Sequence, residues 1–332
     1  MGQNVQCPVR HAPRIVRSRH CQLASIGMST LKRLRALLLL PAALLAGCDL
    51  VVLHPAGAVA AQQGHLIVVS TMLMLLIVVP VMALTIIFAW RYRQSNREAT
   101  YAPDWDHSTR LELVIWAAPL LIIIALGALT WISAHTLDPY RPLRHMDARS
   151  RTLAPPVPPL TIEVVALDWK WLFIYPEQGI AVVNEAAAPV DVPINFKITA
   201  SSVMNSFFIP ALAGQVYAMP GMQTQLNAVI NRPGDFEGFS ANYSGAGFSG
   251  MHFKFRGLSA PDFQSWVRSA RSSGQALSTG SYLQLKKPSE RDPVRRYGGV
   301  APELYAAILN QCGVAGAATP GSQEQRCPGN SN

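Results

Sequence analysis

Two stretches without a single charge dominate the polarity pattern of this chain, Leu66–Trp90 and Leu113–Ala134. At about 1.5 Å per helical residue, each is long enough to cross a hydrocarbon core of about 30 Å. Trp90, Tyr92, Trp116 and Trp131 stand near their ends, where amphipathic rings favour the headgroup level. A shorter apolar run, Ala36–Leu45, precedes them. From Leu160 the period changes to two. TIEVVAL, WKWLFIY, VPINFKITA, SFFIP and QTQLNAVI are short alternating segments divided by Pro, Gly and Asn, the pattern of a β-sandwich or barrel. The pattern predicts a transmembrane hairpin over 66–134, with spans 66–90 and 113–134 and a polar loop 91–112. A linker over 48–65 precedes it, and a Pro-rich linker over 135–159, ending APPVPPL, follows it. An all-β domain over 160–258 comes next.

After the strands, Ser259 is placed to cap a helix, with Pro261 in its first turn and Phe263, Trp266 and Val267 on one face. Residues 271–300 read as polar and turn-rich, and Ala301–Asn310 as a second short helix, so 259–311 forms a C-terminal helical segment. The Gly/Pro/Ser/Gln-rich residues 312–332 have the composition of a disordered tail.

Charge changes the picture at the N-terminus. The formal net charge is +9. Seven of the 28 Lys and Arg residues lie in 1–47, which holds no acid, and the rest of the chain is nearly balanced. That distribution belongs to a targeting segment and removes the nucleic-acid reading. MSTLKRLRALLLLPAALLAGC, Met28–Cys48, has a basic region, an apolar region and small residues before a Cys. It reads as a signal peptide over 28–47. Residues 1–27 are then an extension upstream of the true start, with a genuine cytoplasmic segment as the alternative. Leu44–Cys48, LLAGC, resembles a bacterial lipobox, which makes Cys48 the lipidation site; an unmodified Cys in an uncleaved anchor is the alternative. Arg91, Arg93, Arg97 and Arg110 place the loop between the spans in the cytoplasm. Of the five cysteines, Cys312 and Cys327 lie in the predicted oxidising compartment and can pair. No CxxC, Cys/His cluster, P-loop or GxSxG is present.

The most informative segment is Phe236–Phe253, FEGFSANYSGAGFSGMHF: a strand, a glycine-rich loop and a second strand. With MNSFFIP and DWKWLFIYPEQG upstream, it resembles subunit II of the haem–copper oxidases. In the cytochrome c oxidase branch this loop supplies two Cys, a His and a Met to a two-copper centre, and a further His comes from an earlier turn. Here the thiolate positions are Ser240 and Ser244, the loop His position is Phe248, the earlier His position is Asn205, and Met251 alone is retained. Hydroxyls and a phenyl ring do not replace bridging thiolates around copper. The loop therefore looks like that of the quinol-oxidising branch, the cytochrome bo-type ubiquinol oxidases, with the resemblance running from about Cys48 to Leu309.

That resemblance implies a cupredoxin-like Greek-key barrel outside the bacterial inner membrane. It implies no metal in this chain, haem and copper in a partner subunit I, further subunits III and IV, and ubiquinol as substrate of the complex. Membrane lipid is a partner; nucleic acid and cytochrome c are not. Asp49 after Cys48 resembles an inner-membrane retention signal. Glu112 and Trp116 match an ExxxW pattern whose Glu lies at the mouth of a proton-uptake channel; the bland alternative is a solvated interfacial carboxylate. Trp169 and Trp171 match the patch where cytochrome c docks in the copper-bearing branch, and without copper beneath them packing is the favoured role. His252 is expected at the surface. Two rival readings are a cytochrome c oxidase subunit with a degenerate copper site and a stand-alone membrane-anchored binding or copper-delivery lipoprotein. The sparse Met204, Met219, Met222 and Met251 argue against the second.

Overall fold

The computed structural model describes residues 50–100, 102, 104–143 and 158–311. The signal segment, Cys48, Cys312 and Cys327 lie outside them. A 3-10 turn, Val51–Leu53, leads to two long helices, α1 (Ala58–Arg91) and α2 (Thr109–Thr136). Both are long and apolar enough to cross a membrane. Leu76, Ile86, Leu113 and Trp131 stand exposed along them, as side chains do when lipid or another helix is the expected neighbour. Helix α1 continues through Pro80 to Arg91.

The outer domain consists of two mixed sheets. In the first, β12 (Arg295–Tyr297), β3 (Ile180–Val183), β2 (Lys170–Tyr175), β1 (Leu160–Leu167), β5 (Pro193–Ala200) and β8 (Thr224–Val229) lie in that order. The second runs β4 (Glu185–Pro189), β10 (His252–Leu258), β9 (Gly234–Ser240), β6 (Asn205–Ile209) and β7 (Ala213–Ala218). Parallel pairing of β1 with β5 and of β4 with β10 supplies the crossovers of the cupredoxin-like barrel. Its core is aromatic: Trp171, Phe173, Phe196, Phe207, Phe253 and Phe255 are buried, with Phe207 and Phe253 stacked at 5.3 Å.

The period-two reading of TIEVVAL and WKWLFIY suggests one wet face, but the structure buries both. Val165, Leu167, Leu172, Ile174, Ala181 and Val183 point away from the barrel into a second core. Residues after α3 (Ala260–Arg271) cover them, so the stretch read as polar and turn-rich is ordered structure. It holds β11 (Ala276–Leu277), α4 (Thr279–Leu285), β12, β13 (Gly299–Val300) and, after these, α5 (Leu304–Leu309). Its Leu277, Tyr282, Leu285, Tyr297, Leu304, Tyr305 and Ile308 fill the outer face. Polar residues between these anchors hide them from a periodicity reading. The cap on α3 is as expected: Ser259 accepts from the Asp262 backbone N–H at 3.3 Å.

The predicted linker 48–65 also differs. It is helical from Ala58, and its start is joined to the barrel. Ala56 and Gly57 donate to the Ala211 carbonyl at 2.8 and 3.0 Å, and Asn231 donates to that of Ala56 at 2.8 Å. Ala56, Ala58, Val59 and Ala60 are buried there. Beyond α2, Asn227 donates to the Pro139 carbonyl through its backbone at 3.0 Å and its side chain at 3.1 Å. The hairpin is thus fastened beside β7 and β8 at both outer ends, by the residues that lead into α1 and by those that follow α2. Gly57 permits the closest approach: a Cβ there would meet the Leu212 and Val229 carbonyl oxygens at 2.6 and 2.7 Å. Because backbone yields poorly, Gly57→Ala is expected to destabilise the outer domain by about 1–3 kcal/mol. Thermal unfolding in detergent checks this, with Gly127→Ala as control, since a Cβ at Gly127 meets nothing within 4 Å. Equal melting temperatures for the two variants would contradict the joint.

Candidate functional site

The glycine-rich loop lies at the barrel end where β6 begins, β9 stops and β10 starts. Asn205 and Ser240 are buried side by side, and the Ser240 hydroxyl lies 3.1 Å from Asn205 Oδ1. The Asn205 amide donates to the Val203 carbonyl at 3.1 Å. Ser240 also closes the strand end, its N–H donating to the Met251 carbonyl at 3.2 Å. Phe248 opens a 3-10 turn, Phe248–Gly250, and its ring meets Tyr243 edge-on at 5.6 Å. Met251 is buried in the barrel core. Ser244 turns its carbonyl to Trp169, whose indole N–H donates at 2.9 Å.

The glycines serve this packing. A Cβ at Gly247 would lie 2.6 Å from Trp169 ring atoms, and one at Gly245 2.9 Å. Gly245 also has φ +116°, which side-chain-bearing residues rarely adopt. The loop is shaped to receive an indole. Trp169 immediately precedes β2, and its N–H donates to the Ser289 carbonyl at 3.2 Å while Ser289 donates back to Asp168 at 2.9 Å. The C-terminal segment therefore crosses directly over it. Trp171 points inward, edge-on to Phe207 and Phe253 at 5.3 and 5.7 Å.

A copper pair does not fit these residues. Asn205 and Ser240 already bond to each other, Phe248 has no donor atom, and the remaining hydroxyl and thioether lack the ionised bridging sulfurs a mixed-valence pair requires. Among the described residues, no group of three or more His, Cys, Asp or Glu is gathered as a metal site.

Glu112 stands in the first turn of α2, half-exposed, with Oε1 2.7 Å from Nδ1 of His107. The other ring nitrogen of His107 lies 3.1 Å from the Thr109 hydroxyl, so the carboxylate heads a short polar chain at the predicted cytoplasmic end. Trp116 is exposed one turn further on. His252 is at the surface, 2.7 Å from Glu237.

Sequence reading missed one charged group. Lys170, between two tryptophans, is 1% exposed. It donates to the Lys287 carbonyl at 2.9 Å and to the Ser289 hydroxyl, and pairs with Asp292 at 3.3 Å. Burial pulls its pKa below the ordinary lysine value, and Asp292 opposes that pull. A second buried acid, Glu185, accepts from the Trp266 indole at 2.7 Å and from Arg296 at 2.8 Å. Both networks fasten the C-terminal segment to the barrel.

The sequence matches two families, "Cytochrome C oxidase subunit II, periplasmic domain" over residues 177–256 and "COX Aromatic Rich Motif" over residues 271–315. It is 52% identical to cytochrome bo(3) ubiquinol oxidase subunit 2 of Pseudomonas aeruginosa over 84% of this chain and 81% of that protein. It is 50% identical to ubiquinol oxidase subunit 2 of Acetobacter aceti, over 81% of this chain and 84% of that protein. Identity to quinol oxidase subunit 2 of Bacillus cereus is 36%, over 75% of this chain and 84% of that one.

Proposed function

The chain belongs to the ubiquinol oxidase subunit 2 family, and from that premise we propose that it is the copper-free subunit II of a proton-pumping terminal quinol oxidase. The complex oxidises ubiquinol and reduces dioxygen to water. Haem and copper of subunit I supply the redox chemistry. This chain contributes the hairpin that packs among the other spans, a cover on the outer face, and Glu112 as a point of proton uptake. Cys48 carries the lipid anchor, the outer domain is periplasmic in a bacterial inner membrane, and Cys312 and Cys327 are a candidate disulfide. Subunits III and IV and membrane lipid complete its partners.

One observation carries this reading. At the four positions where the copper-bearing branch keeps thiolates and imidazoles, this chain has Asn205, Ser240, Ser244 and Phe248, within a sequence half identical to a ubiquinol oxidase subunit. The buried Asn205–Ser240 contact supports it, because these side chains satisfy each other.

The test is made on the purified complex. Ubiquinol is expected to support oxygen uptake and reduced cytochrome c is not. Copper is expected at the amount subunit I alone holds, with no thiolate–copper absorption. Oxidation of cytochrome c, or extra copper with purple colour, would sink the reading in favour of a cytochrome c oxidase. Purification without any haem-bearing subunit would favour a stand-alone lipoprotein.

A further inference from the structure

A cavity of about 350 Å³ lies where the outer ends of α1 and α2 meet β7 and β8. Val59, Gln62 and Gln63 of α1 line one side, Asp138 and Arg141 beyond α2 another, and Leu226 of β8 a third. Val59 and Leu226 are buried and make part of the wall apolar; Gln62, Asp138 and Arg141 are exposed and make the rest polar.

Depth is the first argument. The charge-free run of α1 begins at Leu66, and at about 1.5 Å per residue Gln62 stands about 6 Å outward of it. Asp138 stands as far along the chain beyond Ala134, where the apolar run of α2 ends. The headgroup layer on each side of a bilayer is about 5–7 Å thick. The cavity is thus level with outer-leaflet headgroups.

Charge is the second. Asp138 and Arg141 belong to one turn, the Arg141 N–H donating to the Asp138 carbonyl at 3.1 Å. The carboxylate accepts from the Tyr140 N–H at 2.9 Å, and the guanidinium donates to the His135 carbonyl at 3.3 Å. Among the described residues neither forms an ion pair. A guanidinium matches a phosphate, and a carboxylate matches an ammonium. An inorganic anion would leave Asp138 unmatched, and an apolar molecule would leave both charges unmatched.

We propose that this cavity seats the headgroup of one outer-leaflet phosphatidylethanolamine, its phosphate at Arg141 and Gln62, its ammonium at Asp138, and its acyl chains in the membrane beside the hairpin. The volume is at the small end of ligand pockets and suits a headgroup without its chains. The site rests on the membrane placement of the hairpin and stands whether or not the oxidase reading holds.

The test uses the full-length protein, with whatever subunits purify with it, reconstituted in nanodiscs of equal phosphatidylethanolamine and phosphatidylglycerol, with retained lipids counted by native mass spectrometry. The wild type is expected to keep a phosphatidylethanolamine that resists detergent. Asp138→Asn is expected to lose the preference over phosphatidylglycerol, which lacks the ammonium. Arg141→Gln is expected to retain neither lipid there. Should Arg141→Gln fail to assemble, Gln62→Leu replaces it, with weaker retention expected. Unchanged lipid counts in the assembled variants would overturn the proposal. Equal protection of the site by glycerophosphoethanolamine, which has no acyl chains, would overturn the lipid source.

Discussion

Asp292→Ala is expected to destabilise the outer domain by about 3–5 kcal/mol, whereas Lys170→Met costs much less. The asymmetry follows from which charge is left behind. Lys170 is 1% exposed and Asp292 side-chain exposure is 9%. Removing Asp292 leaves an ammonium enclosed with the Lys287 carbonyl, the Ser289 hydroxyl and the weaker attraction of Asp168. Removing the ammonium leaves Asp292 still paired with Arg295 at 3.2 Å, itself half in solvent. Methionine also keeps most of the buried stem. Denaturant unfolding of the purified subunit, followed by tryptophan fluorescence, compares the two. Equal loss in both variants would show that the pair is not what holds the C-terminal segment.

The same pair sets a pH dependence. Burial lowers the folded-state pKa of Lys170 below its ordinary 10.5. Between the lowered value and 10.5 the unfolded chain binds more protons, so stability rises with pH across that window. Asp292→Ala removes the larger of the two attractions that oppose the shift, the other being that of Asp168, which lowers the folded value further and extends the window downward. Lys170→Met abolishes this contribution. Unfolding free energies measured from pH 7 to 10 should therefore rise most in Asp292→Ala and least in Lys170→Met.

These residues also show where sequence reading stops. Charge-free runs and period-two strands announce themselves locally, and so does a cap such as Ser259, because the signal and the structure occupy the same few residues. Lys170 lies in a strand of alternating character and reads as solvent-facing; its counter-charge is more than a hundred residues away, in a stretch without periodicity. Ala58–Gly64 is similar. Its side chains are mostly small or polar, and the Leu212 carbonyl that accepts from its Ala60 N–H at 3.3 Å lies on a β-domain turn. The loop was legible in shape and in its missing donors. The physical use of Gly245 and Gly247, which is to admit the Trp169 ring, depends on a residue some 75 positions away and leaves no local signal. The cavity leaves none either, since its walls come from three distant parts of the chain.

Glu112→Ala is expected to slow quinol-driven oxygen uptake by the complex about tenfold, with Glu112→Asp recovering part of the rate. The expected loss is smaller than the roughly 10²–10⁴-fold seen when a group that transfers protons in the reaction itself is removed, because water can partly bypass a surface donor. The proposed proton entry starts from a carboxylate that water can reach. The carboxylate is half-exposed to solvent, yet lies 2.7 Å from His107, which reaches the Thr109 hydroxyl at 3.1 Å. A proton taken from water has a hydrogen-bonded group to receive or share it at the predicted cytoplasmic end of α2. Trp116 fixes the depth, since its exposed ring sits one turn inward, where indoles favour the interface. Glu112→Gln separates charge from shape: it keeps the length of the side chain but cannot ionise, and should be as slow as Glu112→Ala. Full turnover in Glu112→Gln, with the complex intact, would reduce Glu112 to a solvated interfacial carboxylate.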